Sequence, residues 1–176
     1  MQYVIDICLL LLLAVVLFQD LKQRQISWFL IPLLLVFFIA QGLFRIPANE
    51  LIHYTMFNIG FIVVQLVILT VYISIKNKKL VNIINSYLGI GDVLFIATVA
   101  AAFSPFNFII FYIAALLFTL LVFLMVTLLT KNLSKEIPLA GAMAAVIMVL
   151  IIVNQWLPVF NFYNDDYLTG WFGKIF

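Results

Sequence analysis

Charged side chains are scarce in this 176-residue chain: nine Lys and Arg and seven Asp and Glu, 9% of the residues. Soluble domains carry about 25%, so a water-facing globule is excluded. There is one cysteine, Cys8, and one histidine, His53. One thiol cannot form an internal disulfide, and one thiol with one imidazole cannot build a metal-ligand cluster. The basic residues are scattered and the net charge is only +2, which leaves no footprint for nucleic acid. No Lys or Arg precedes Lys22, and the first apolar run ends Phe18-Gln19-Asp20 without a small-residue cleavage site. That run is therefore expected to stay in the protein instead of acting as a cleavable signal peptide. Gly and Pro are few within the apolar runs, and alternating apolar/polar strands are missing, which excludes a barrel.

What is present is apolar surface: 67% of the residues are hydrophobic and the mean hydropathy is +1.27. The composition is that of an integral membrane protein. Apolar runs extend from Tyr3 to Phe18, Trp28 to Phe44, Leu51 to Ile75, Val81 to Phe103, Phe106 to Thr130 and Ile137 to Leu157. Most are long enough to cross a hydrocarbon core roughly 30 Å thick. The reading is an all-α, polytopic membrane protein of about six transmembrane helices, with residues 1–176 as a single unit in the bilayer. Basic residues in short loops set the orientation. Lys22, Arg24, Lys76, Lys78, Lys79, Lys131 and Lys135 fall on one side, and only Arg45 and Lys174 on the other. The first side is expected to face the cytoplasm. Both termini, with Asp6, Glu50, Asp165 and Asp166, then lie outside. The aromatic tail after Pro158, with Tyr167, Trp171 and Phe172, reads as an interfacial anchor or a docked cap.

Two acids stand out by position. Asp20 closes the first apolar run, and Asp92 lies inside the fourth; both fall near cytoplasmic helix ends in this topology. Acids at membrane depth are expensive and default to functional candidates. The run after Asp92, Val93 to Phe103, covers only roughly 16 Å as a helix. Either it draws in residues before Asp92 or the membrane is thin there. Gly89 and Gly91 flank the acid and allow a sharp turn or a close backbone approach. Each acid also has a structural reading. Asp92 suits a helix N-terminus, and Asp20 is balanced by Lys22 and Arg24. As a pair they gain chemistry: two carboxyls that meet cannot both ionise comfortably, and one base with one acid can act on a water. His53 and Cys8 read as packing or interfacial groups, and Asn58 and Gln65 as helix-to-helix hydrogen bonders.

The order of these residues resembles the type IV prepilin peptidases and preflagellin peptidases. Asp20-Leu21-Lys22-Gln23-Arg24-Gln25-Ile26 is similar to their first motif, Gly89-Ile90-Gly91-Asp92 to their GxGD motif, and Ile137-Pro138-Leu139-Ala140-Gly141 to the start of their late helix. The resemblance implies a membrane aspartyl endopeptidase of the inner, cytoplasmic membrane. It would cut the short basic leader from prepilin-like or pseudopilin substrates at the cytoplasmic face, in type IV pilus assembly or secretion, with no cofactor and no metal. Asp20 and Asp92 would be the catalytic pair. Gly89 and Gly91 would shape the turn presenting Asp92, and Lys22, Ile26 and Pro138 would support the motifs. The chain is expected to be the short form without the methyltransferase region. Two departures bear on substrate preference: Ser27 where members often have Pro, and Val93-Leu94-Phe95 where many have a Lys soon after the acid. Presenilin-type proteases share GxGD but place their first acid in a Tyr-Asp pair; here Gln19 precedes Asp20. The competing readings are a small transporter using the two acids as an ion or proton site, and a peptidase homologue that binds without cutting.

The basic bias yields a test of orientation. Cysteine labelling in intact cells is expected to leave the Lys76–Lys79 connection unmodified by an impermeant reagent and to modify it once the membrane is opened; labelling from outside refutes the orientation.

Overall fold

The computed structural model of the protein describes residues 2–80, 83, 88–130, 138–156 and 162–165. Lys131, Lys135, Glu136, Ile137 and Lys174, the start of the fourth run at Val81, and the tail residues Asp166, Tyr167, Trp171 and Phe172 lie outside the described residues.

Among the described residues the chain is helical, without a strand. The helices are α1 (Gln2–Gln23), α2 (Leu30–Leu43), α3 (Ala48–Asn77), α4 (Ile90–Val99), α5 (Pro105–Thr130) and α6 (Leu139–Trp156). α4 runs on into a tighter turn at Ala100–Ala102. Among the described residues three helices are long and apolar enough to cross a membrane: Gln2–Gln23, Ala48–Asn77 and the Pro105–Leu128 part of α5. The segments Leu30–Leu43, Ile90–Ala102 and Leu139–Gln155 are apolar but shorter.

The helix boundaries follow local chemistry. Pro47 precedes α3 and Glu50 lies in its first turn, where a negative charge meets the positive helix end. Lys78 stops α3 in the left-handed conformation. Pro105 opens α5, a position where its missing N–H is not needed.

Contacts at the helix ends fix alternating directions. The Gln41 amide donates to Asp6 at 2.7 Å, so the start of α1 meets the end of α2. Leu51 reaches Gly42, placing the start of α3 there too. The Asn58 amide donates to the Ala100 and Phe103 carbonyls, both at 2.9 Å, bringing the end of α4 to the same level. Tyr163 packs over this end, donating its hydroxyl to the Phe38 carbonyl. Asp6 is thus buried between helices, where Gln41 supplies its hydrogen bond. Asp165 likewise serves the fold: it accepts the Ser104 hydroxyl at 2.5 Å and the Phe106 N–H at 3.4 Å, capping the start of α5.

Polarity is arranged for lipid. Most outward positions of α3 and α5 are apolar, including Val63, Val67, Ile68, Val71, Leu117, Leu121 and Leu124; Gln65, expected from the sequence to bond between helices, is exposed among them. The buried set instead includes Asp6, Asp20, Gln41, Asn58, Thr98, Ser104, Asn107 and Thr119. Where α6 packs along α1, its surface is small: Ala140, Gly141 and Ala144 are buried. Small residues let helices approach closely where no hydrophobic effect drives them together.

The length of α4 decides where the site lies. It takes in only Ile90 and Gly91 before Asp92, and with the turn to Ala102 it covers roughly 20 Å. Asn58 of α3 is level with Ala100, and α3 continues to Asn77. At about 1.5 Å per residue, α3 passes the level of Asp92 by roughly 15 Å.

Candidate active site

Asp20 lies in the last turn of α1 and Asp92 is the third residue of α4. Both reach the first turn of α6. The Gly141 N–H donates to Asp20 Oδ2 at 2.5 Å, and the Ala140 N–H donates to Asp92 Oδ1 at 3.1 Å. Asp20 is 5% exposed; Asp92 is half-buried. The two carboxyl groups are close enough to act on each other electrostatically.

The physical reason lies in the start of α6. The first N–H groups of a helix have no partner within it, and they carry the positive end of the macrodipole. Pro138 stands at the cap position, its carbonyl accepting the Ala142 N–H at 3.2 Å. Proline has no side-chain acceptor to bend onto those donors. The caps therefore come from other helices: one carboxyl from α1 and one from α4. Asp92 also reaches back to the Gly89 N–H, as a helix-start acid does in a capping box. The structural reading of Asp92 and its meeting with Asp20 are thus both present in one geometry.

Each residue singled out from sequence has a definite place. Gly89 is extended, with φ −68° and ψ 139°, and no glycine among the described residues has positive φ. The GxGD glycines are accordingly not required for a left-handed turn. Gly89 leaves room: a Cβ there would lie 3.1 Å from Asp92 Oδ2. At Gly91 a Cβ would meet only Ile26, at 3.8 Å and beyond, so Ile26 packs on the start of α4. Lys22 points elsewhere, its ammonium 5.4 Å from the centre of the Phe18 ring. His53 bonds the Asn49 carbonyl at 2.7 Å, far from the acids along α3.

The acids open on a cleft of about 570 Å³. Its walls include Arg24, Gln25, Ile26 and Trp28 from the α1–α2 connection, Ile31 and Pro32 from α2, and Gly89, Ile90, Gly91 and Leu94 from the start of α4. A mostly apolar cleft with two convergent carboxyls is the form of a ligand site. Two acids held side by side can divide the roles of general base and general acid.

Sequence reasoning missed Ala140 and Gly141 as working groups. Their contribution is backbone, and no side chain advertises it. The available signal was Pro138 followed by Leu-Ala-Gly-Ala: a helix start without a cap residue, faced with small side chains.

Gly141 is needed for space. A Cβ there would lie 2.9 Å from Asp20 Oδ2 and 3.1 Å from Asp20 Cβ, whereas one at Gly60 in α3 meets nothing within 4 Å. Gly141→Ala is expected to destabilise the protein by about 1–3 kcal/mol through overpacking, and Gly60→Ala to leave it level or up to about 1 kcal/mol more stable. Unfolding in detergent checks the pair: equal melting of Gly141→Ala and wild type would show that the carboxyl is not held against this turn.

No family model, curated protein or solved structure matches this chain, so the reading of the site stands on its geometry and on the residues that build it.

Proposed function

We propose that the protein is a membrane aspartic endopeptidase of the prepilin and preflagellin peptidase type. It removes the short basic leader of prepilin-like proteins at the cytoplasmic face of the inner membrane. The observation that carries this reading is the meeting of Asp20 and Asp92 on adjacent amides of α6 at the edge of an open cleft. In the proposed topology all six apolar helices cross the bilayer, with both termini outside. The shortness of α4 then recesses the acids below the level reached by α3. Such depth suits a substrate whose scissile bond precedes an apolar helix.

In the proposed reaction one carboxylate takes a proton from water as the water oxygen attacks the scissile carbonyl carbon. The other carboxyl, protonated, gives its proton to the amide nitrogen as the C–N bond breaks. Products are a carboxylic acid and an amine, and the dyad regains its single proton from the water. The apolar walls at Ile26, Ile31, Pro32, Ile90 and Leu94 limit bulk water and hold an extended peptide.

The transporter reading needs a polar route through the bundle. Asp6 is buried at the far end of α1, but Leu9, Leu13 and Val16 between it and Asp20 are completely buried and apolar. That favours a site open on one face over a through-path.

Asparagine is a good helix-capping residue, so Asp→Asn retains the acceptor for the α6 amides and removes only the ionisation. Asp20→Asn and Asp92→Asn are each expected to lower leader cleavage by about 10²- to 10⁴-fold, with the double variant no worse than either single. His53→Ala and Glu136→Gln are expected to keep most activity. Cleavage of a prepilin-like substrate is measured beside protein level in the membrane. Near-normal cleavage by well-expressed Asp92→Asn would overturn the catalytic assignment of the pair and leave Asp92 an ion-binding or substrate-docking group.

With one His and one Cys in the sequence, the chemistry calls for no metal-ligand cluster. Cleavage is expected to persist in strong chelator at an unchanged rate. Loss in chelator with recovery on adding zinc would contradict a carboxyl dyad.

A further inference from the structure

The stretch Arg24 to Trp28 supplies one wall of the cleft through Arg24, Gln25, Ile26 and Trp28, although it has no helical backbone of its own. Its ends are tied to the helices it joins. The Arg24 N–H donates to the Asp20 carbonyl at 3.0 Å, and the Ser27 carbonyl accepts the Leu30 N–H at 3.0 Å. Arg24 has φ 51°, a conformation uncommon away from glycine, and it turns the chain back over the acids. Between these ends one side chain grips the backbone: Gln19 Oε1 accepts the Ser27 N–H at 2.9 Å. Gln19 is half-buried and adjoins Asp20. Ile26 lies on Gly91 on the other side.

We propose that Gln19 is a positioning residue for the substrate cleft: by holding the Ser27 N–H it keeps the Arg24–Trp28 wall closed against α1 and the start of α4. The proposal rests on the peptidase reading for its effect on cleavage, but the closure of the wall has a readout that does not depend on activity. Proline at 27 would have no N–H to give and would stiffen the stretch through its ring. With Ser27 the stretch has a free donor and lacks that ring, and the Gln19 side chain restores the constraint. A buried or half-buried backbone N–H that loses its acceptor carries a desolvation penalty, so the wall opens when Gln19 is truncated.

Gln19→Leu keeps the bulk and removes the acceptor; Gln19→Met does the same with a flexible chain. Ser27→Ala keeps the N–H and serves as the control. For a prepilin-like peptide, both Gln19 variants are expected to raise KM by about five-fold with kcat within about two-fold, and Ser27→Ala is expected to match wild type. In a background with Trp156→Phe and Trp171→Phe, Trp28 is the single emitter. Its fluorescence anisotropy in reconstituted membranes is expected to fall in Gln19→Leu and Gln19→Met and to hold in Ser27→Ala. Unchanged KM with unchanged anisotropy overturns the proposal, as does a fall in kcat alone with the wall still rigid. If wild type cuts no such peptide, the peptidase reading fails, and the anisotropy comparison alone decides whether Gln19 holds the wall.

Discussion

Two neighbouring N–H groups at the start of α6, on Ala140 and Gly141, hold the site together. Each binds one carboxyl, and the carboxyls arrive from opposite directions: Asp20 at the end of one helix and Asp92 at the start of another. A carboxylate at a helix C-terminus is unfavourably placed toward its own helix dipole. Asp20 is in that position on α1, and the positive start of α6 offsets it. Like charges side by side repel, and the paired donors oppose that as well. Without α6, Asp20 loses the N–H that holds it and Asp92 keeps only its tie to the start of its own helix. Without the acids, the first turn of α6 would be left with buried, unpartnered N–H groups, which a bilayer does not satisfy.

The opposite end of the bundle fixes the depth at which this happens. Asn58 holds the Ala100 and Phe103 carbonyls where α4 ends. The Asn107 amide donates to Ser104 Oγ at 2.8 Å and to the Phe162 carbonyl at 3.3 Å, while Ser104 N–H donates to the same carbonyl at 2.8 Å. Stacked Phe103 and Phe111, 4.8 Å between centroids, fill the corner. α4 is thereby pinned at both ends, and its length sets the depth of Asp92. The short helix is a feature with a consequence: a helix of spanning length would carry the GxGD acid out to the level of the α3 terminus.

Much of this was legible in the sequence, for physical reasons that differ by residue. Scarce charge and long apolar runs dictate helices, because a bilayer leaves the backbone few other solutions. Asp20 and Asp92 were visible because ionisable groups are rare in such runs and expensive there. Asp6 was read only by its side of the membrane: the sequence shows an acid near a helix start but not that Gln41 of another helix meets and buries it. For the glycines around Asp92 the sequence left a sharp turn and a close approach open; their φ values are ordinary, and Gly89 leaves room for the Asp92 carboxyl. The short fourth segment was visible in its run after Asp92, whereas the shortness of Leu30–Leu43 and Leu139–Gln155 was not, because apolar character extends past helix ends into turns such as Trp28-Phe29. Ala140 and Gly141 act through main-chain N–H groups that every residue but proline possesses, so the uncapped helix start after Pro138 is the one trace of their role in the sequence, and which groups they bind emerges from tertiary geometry.

The connection after α1 joins one of the two acids to a wall of the cleft in a single short stretch. Residues 19 to 28 hold one acid, end α1, and then fold back as a wall of the cleft. Ending a helix in the left-handed conformation suits glycine, and a side chain there costs roughly 1–2 kcal/mol. The chain places Arg24 at that position and keeps a cation in the cleft beside Asp20. Glycine would terminate the helix more cheaply but contribute nothing to the wall. Backbone strain of this kind persists only where the surroundings hold it, and here the Asp20 carbonyl, the Gln19 side chain and Ile26 on Gly91 do so. The acid, the turn that follows it and the surface a peptide would meet are therefore one structural unit, and a change to any of them is felt by the other two.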